Sequence, residues 1–132
     1  MTSALGSEVQ LSQILVVSDP ARSRHFWVEV LGAEVYREYG TSIVLTLAGG
    51  WLLLVEGGEP TPDKPTVTFA PPTDPGVVST AMTLRVADCR ASYEALRARG
   101  AEFLTPPHDW GYEVRCFLRD PDGHLIELSQ AG

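Results

Sequence analysis

Side chains able to do chemistry are few in this chain and unevenly spread. The thiols and imidazoles are Cys89, Cys116, His25, His108 and His124. A thiol in the first turn of a helix, where Cys89 is expected, can be activated by the helix N-terminus. No base stands near it in sequence, and no CxxC or Cys/His cluster occurs, so both cysteines read as reduced core thiols. His25 sits on a helix beside Phe26 and reads as a boundary residue. His108 lies in Pro106-Pro107-His108-Asp109-Trp110-Gly111, where a loop imidazole beside an acid and an aromatic can contact a ligand or act as a general base. Arg85, Arg115 and Glu127 fall in strand-like stretches. There a carboxylate and a guanidinium either pair across strands or hold a polar ligand head.

The elements that must position these groups are written twice. Residues 11–35 and 80–103 each run as an apolar strand, an Asp, an amphipathic helix, then Gly-Ala-Glu and a new strand. Asp19 and Asp88 are 69 positions apart, Gly32 and Gly100 only 68, so the second copy is one helical residue shorter. Asp19 with Pro20 behind it is a helix cap followed by a first-turn proline. The first helix is predicted to end at Leu31, with Phe26/Val30 and Trp27/Leu31 on its buried side and Gly32 as stop. The second is capped by Asp88, with Tyr93 and Leu96 inward, Arg97 and Arg99 outward, and Gly100 as stop. Strands follow at residues 33–39, 42–48 and 51–56 in the first copy, and at 102–104, 113–119 and 124–129 in the second. Asp120-Pro121-Asp122-Gly123 is a tight turn. The expected organisation is a first βαβββ module over 1–59, a Pro/Gly-rich connector over 60–79 with a possible strand at 66–70, and a second module over 80–132.

Composition bounds what such a chain does. Its 132 residues suffice for a genuine core, and 44% hydrophobic with 20% charged residues is ordinary for a globular protein. A formal net charge of −7 argues against nucleic acid or an anionic membrane as partner. No stretch approaches the roughly 20 apolar residues of a spanning helix. Residues 1–10 lack the charged start and apolar core of a signal peptide, which makes the cytoplasm the expected location.

Together, Val17-Ser18-Asp19, Phe26-Trp27 with Val30-Leu31-Gly32, and Arg119-Asp120-Pro121-Asp122-Gly123-His124-Leu125-Ile126-Glu127-Leu128 resemble the vicinal oxygen chelate superfamily. That superfamily holds glyoxalases, bleomycin-resistance proteins, fosfomycin-resistance enzymes and extradiol dioxygenases, and the resemblance covers residues 11–130. It implies an α+β fold in which the two βαβββ modules form an open, cup-shaped mixed sheet with helices outside, commonly as a homodimer. It also implies one divalent metal held by four side chains, two from the first strand and two from the last strand of the modules. The family's first-strand ligand precedes the capping Asp by about seven residues, which here gives Ser12 and Ala81. Aligning Gly50 with Gly123 sets Leu54 opposite Glu127 in the last strands. Only Glu127, as metal ligand or catalytic base, is then a strong donor, with Glu56, Gln13 and His108 as weaker substitutes.

The resemblance and strand alternation together give the cup lining. With Glu127 facing the cup, so do Leu125, Ser129, Glu113, Arg115, Phe117, Arg119, Ala81, Thr83 and Arg85. The first module contributes Ser12, Ile14, Val16, Leu52 and Leu54, an apolar wall, while Trp51 falls on the opposite phase and His124 faces the helices. Arg85, Arg115, Phe117, Thr83, Leu54, Trp110 and His108 are the expected ligand-binding residues; an ion pair of Glu127 with Arg85 or Arg115 is the plain structural alternative. Three functions follow: a metal-independent small-molecule binder like the family's sequestering resistance proteins; a metal-dependent lyase, isomerase or dioxygenase with an atypical ligand set; or a non-catalytic interaction module.

Overall fold

The computed structural model describes residues 4–132. Eight strands and two helices form two modules of one plan. The first contains β1 (Ser12–Val17), α1 (Pro20–His25), β2 (Glu34–Tyr39), β3 (Ser42–Leu47) and β4 (Gly50–Glu56). The second contains β5 (Met82–Arg85), α2 (Cys89–Ala98), β6 (His108–Asp109), β7 (Glu113–Arg119) and β8 (Leu125–Ala131). Strand order is β1-β4-β3-β2 in one sheet and β5-β8-β7-β6 in the other, so the fold is α+β with two four-stranded mixed sheets. In each, the first strand pairs in parallel with the last, and the remaining pairs are antiparallel.

The caps form as their residue types dictate. Asp19 accepts hydrogen bonds from the Ala21 and Arg22 amides, and Asp88 from the Ala91 amide. The length difference between the copies also has a place. Beyond His25 the first helix continues as a π-helix over Phe26–Val30, and the Leu31 amide bonds back to the Phe26 carbonyl at 3.2 Å. A π turn accommodates one inserted residue without moving the flanking turns. The extra residue of the first copy is absorbed there, and Phe26, Trp27 and Val30 stay buried.

Where the chain departs from expectation, the strands after α2 account for most of it. Residues 102–104 form no regular strand; Phe103 makes a single bridge to Leu118. Pairing falls instead to His108 and Asp109, which bond along β7 as the short edge strand β6. In the connector, the possible strand at 66–70 reduces to one bridge, Gly58 to Phe69.

Helix-facing side chains of both sheets form one apolar core that includes Leu15, Leu45, Leu54, Leu118, Ile126 and Leu128. Cys89 and Cys116 meet inside it, Sγ to Sγ at 3.8 Å. Burial raises both thiols, Cys116 to about 12, so neither supplies a thiolate near neutral pH. The modules are fastened by the turn before β8. Asp122 accepts hydrogen bonds from the Ser18 amide at 3.1 Å and the Ser18 hydroxyl at 2.6 Å. Arg22 reaches the Pro121 carbonyl, and a ring nitrogen of His124 lies 2.8 Å from the Val16 carbonyl. His124 thus fastens the second module to β1 of the first. Among the described residues no helix is long and apolar enough to cross a membrane.

Candidate functional site

Register assigns the open face of each sheet, the one turned away from the helices. In the second module Thr83 stands opposite Glu127 and Glu127 opposite Phe117; the next row is Arg85, Ser129, Arg115 and His108. Their alternates Ile126, Leu128 and Cys116 are buried in the core. The expected polar wall is therefore assembled. Its internal bonds differ from the expected ion pair. Glu127 accepts a hydrogen bond from the Thr83 hydroxyl at 3.0 Å, whereas Arg115 pairs with Glu113 on its own strand at 2.7 Å. Glu113 also accepts from the Ser129 hydroxyl, and the Arg115 hydrogen bond holds its carboxyl below the usual range. Trp110 stands at the sheet edge with the Arg115 guanidinium 5.1 Å from its ring centre and the His108 ring at 4.3 Å.

In the first module the phase of β4 is the reverse of the one expected. Leu54 is fully buried and Leu52 nearly so, both paired with core residues of β3. Leu54 therefore does not contact a ligand on the open face. Leu53 does face that way, in a row with Ile14 and Val44. Trp51 shares this face, its ring 4.8 Å from that of Tyr36. The cause is a one-residue slip: Gly49 has φ +78° and matches Gly123 at +92°, while Gly50 has no positive φ. Ile14 and Thr83 each lie five residues before a capping Asp, and their partners Leu53 and Glu127 each lie four after one of these glycines. A slip of one reverses every side chain of a strand.

With that slip, the four positions that the resemblance would assign to metal ligands become Ser12, Leu53, Ala81 and Glu127. Glu56 shares the phase of Leu54 and is exposed at the strand end, and Gln13 lies half-buried on the helix-facing phase. His108 is on the edge strand, two strands from Glu127. His25 is exposed on α1. Among the described residues no three of His, Cys, Asp and Glu converge on a point where an ion would sit.

Between the modules, edge strands β1 and β5 leave a cavity of about 1280 Å³. Ile14, Met82, Leu84 and Arg85 border it from the strands, and Leu31, Leu96 and Arg99 from the helices. Of the residues expected to bind a ligand, only Thr83 and Arg85 reach it; Glu127, Phe117, Arg115, Trp110 and His108 stay on the open face. The α2 contribution, Ser92, Ala95, Leu96 and Arg99, went unforeseen. Its signal was present as small and amphipathic residues at i, i+3, i+4 and i+7, but which helix opposes this stripe depends on how the modules dock. Arg99 is exposed as expected and also donates to the Val30 carbonyl of the first module at 3.2 Å.

With this architecture in place, likeness to known proteins is informative. The profile of the Glyoxalase/Bleomycin resistance protein/Dioxygenase superfamily matches residues 9–128, and the chain belongs to that superfamily. A glyoxalase/bleomycin resistance protein/dioxygenase from Nocardioides is 23% identical, with a TM-score of 0.73 over 95% of this chain and 85% of that one. TnmS3, an antibiotic binding protein from Streptomyces sp. CB03234, is 22% identical with a TM-score of 0.68 over 96% of this chain and 98% of that one. The fosfomycin resistance protein FosX from Listeria monocytogenes is 19% identical, with a TM-score of 0.69 over 96% and 95%. At these identities the likeness is one of fold. No curated protein sequence matches the chain.

Proposed function

We propose that this chain is a small-molecule-binding protein that works without the family's four-ligand metal centre. The observation that carries the reading is the cavity of about 1280 Å³ between the modules, walled mainly by aliphatic side chains with a few polar groups. That combination suits an apolar ligand oriented by a small number of polar contacts. The donor chemistry points the same way: Ser12, Leu53, Ala81 and Glu127 do not fit a four-ligand divalent centre, because only the carboxylate is a strong ligand. Glu127, bonded to Thr83, is read as a polar fixture of the open face rather than a catalytic base. The antibiotic-binding description of TnmS3 lends support by kinship of fold. A homodimer is part of the proposal, since Ile14 is 47% exposed on the apolar open face of the first sheet and a second copy would cover it.

The test is a fluorescence titration with N-phenyl-1-naphthylamine, a neutral apolar dye, in the presence of EDTA. Saturable binding unaffected by EDTA and lost in Ala95→Trp, which fills the cavity from α2, supports the proposal. Binding that needs added divalent metal favours the enzyme reading of the same superfamily.

A further inference from the structure

The charge of the cavity wall is opposite in sign to that of the protein. Acidic residues outnumber Lys and Arg 17 to 10 along the chain, yet the wall holds Arg85 and Arg99 and no Asp or Glu. Arg85 ends β5, and its guanidinium makes no hydrogen bond or ion pair with any described residue. Its row on the open face explains why. The next residues across are Ser129 and Arg115, and the carboxylate within reach, Glu113, is already bonded to both of those. Glu127, one row away, is engaged by Thr83. Arg99 spends one guanidinium nitrogen on the Val30 carbonyl, which fixes its position at the end of α2 and leaves further N–H donors.

Resting on the small-molecule role proposed above, we infer that the ligand of this cavity is an anion with an apolar, ring-sized body, such as an aromatic carboxylate, sulfonate or phenolate. Arg85 and Arg99 hold the charge, and Ile14, Leu31, Met82, Leu84 and Leu96 hold the body. A guanidinium matches planar oxyanions through paired N–H donors, and such charge-assisted bonds are about twice as strong as neutral ones. A cationic ligand meets two like charges and no counter-ion in the same wall.

Two dyes with one ring skeleton separate the claims: 8-anilinonaphthalene-1-sulfonate and its uncharged relative N-phenyl-1-naphthylamine. The native protein is expected to bind the sulfonate about tenfold more tightly than the neutral dye, the size of one charge-assisted hydrogen bond. Arg85→Gln, at an exposed strand end without structural bonds, should remove much of that preference, and Arg85→Gln with Arg99→Gln nearly all of it. Neutral-dye affinity should change by much less than sulfonate affinity in both variants, so that the ratio of the two reads the charge contacts apart from any general effect on the wall. Equal affinities in the native protein, or a preference that survives the double variant, overturn the anion assignment and leave the cavity reading intact. If neither dye binds, or Ala95→Trp changes neither, the cavity reading itself falls.

Discussion

The two sheets share strand order, register and capped helices, yet their open faces are chemically opposite. Ile14, Leu53 and Val44 form one row in the first module; Thr83, Glu127 and Phe117 form the matching row in the second. The helix-facing rows differ less: Leu15 and Leu54 correspond to Leu84 and Leu128, with Gln13 in place of Met82 one row away. Core positions are tied by packing to the helices, where a change of even one methylene is felt. Open-face positions carry no such constraint, and the copies have diverged there. Repetition therefore identifies the scaffold, and its failures concentrate on the face turned away from the helices. One further asymmetry follows: the Asp120–Gly123 turn clamps the first module, while Ala48, which matches Asp122, is no acid and instead borders the cavity.

Core phase gives the largest effect by which the contrast can be broken. Leu54→Ala is expected to cost about 2–5 kcal/mol, as a buried leucine truncation does, and Leu53→Ala below about 1 kcal/mol. Urea midpoints check this, and equal losses would return β4 to the opposite phase. Next comes the one-sided clamp. The Asp122 side chain is only 4% exposed and accepts two bonds from Ser18, so Asp122→Ala should cost about 1–3 kcal/mol. Ala48→Asp at the corresponding turn should gain nothing comparable.

Thiol chemistry is a smaller test. With Cys89 and Cys116 raised by burial, iodoacetamide at pH 8 should label the native protein far more slowly than the urea-unfolded chain; fast labelling would contradict the burial. Smallest is a pH effect. Burial raises Asp120 above its ordinary 3.8, against the hydrogen bonds that Asp122 and His124 amides donate to it. A raised folded value means that its contribution to stability is full below 3.8 and is lost as pH climbs through the folded value. Asp120→Asn keeps an acceptor for both amides and does not ionise. The stability of the native chain relative to this variant should fall from pH 3 to 7; a rising difference would contradict the assigned direction.

Much of this architecture was legible in the residues. Asp19, Asp88, Gly32 and Gly100 mark both helices, and alternating polarity in Glu113–Arg119 and around Glu127 phases the second sheet correctly. The first sheet resisted for a physical reason. Trp51-Leu52-Leu53-Leu54-Val55 is apolar throughout, so it has no alternation to read, and Gly49-Gly50 offers two places for the turn glycine. Leu54 was placed on the wrong face as a result. The cavity was illegible for a different reason: the stripe of Ser92, Ala95, Leu96 and Arg99 is periodic, but what it faces is set by the docking of one module on another, a non-local event. Ser12 and Ala81 are reached by counting back from the caps, and replacing Leu54 by Leu53 adds no donor side chain to that set.

The central claim, binding without a resident divalent metal, is tested most directly by elemental analysis of protein purified without chelator. Nickel, cobalt, manganese and iron should all be far below one equivalent per chain, with the same result for Glu127→Ala. One equivalent of any of them in the native protein, lost in Glu127→Ala, would contradict the claim and make Glu127 the anchor of a metal site.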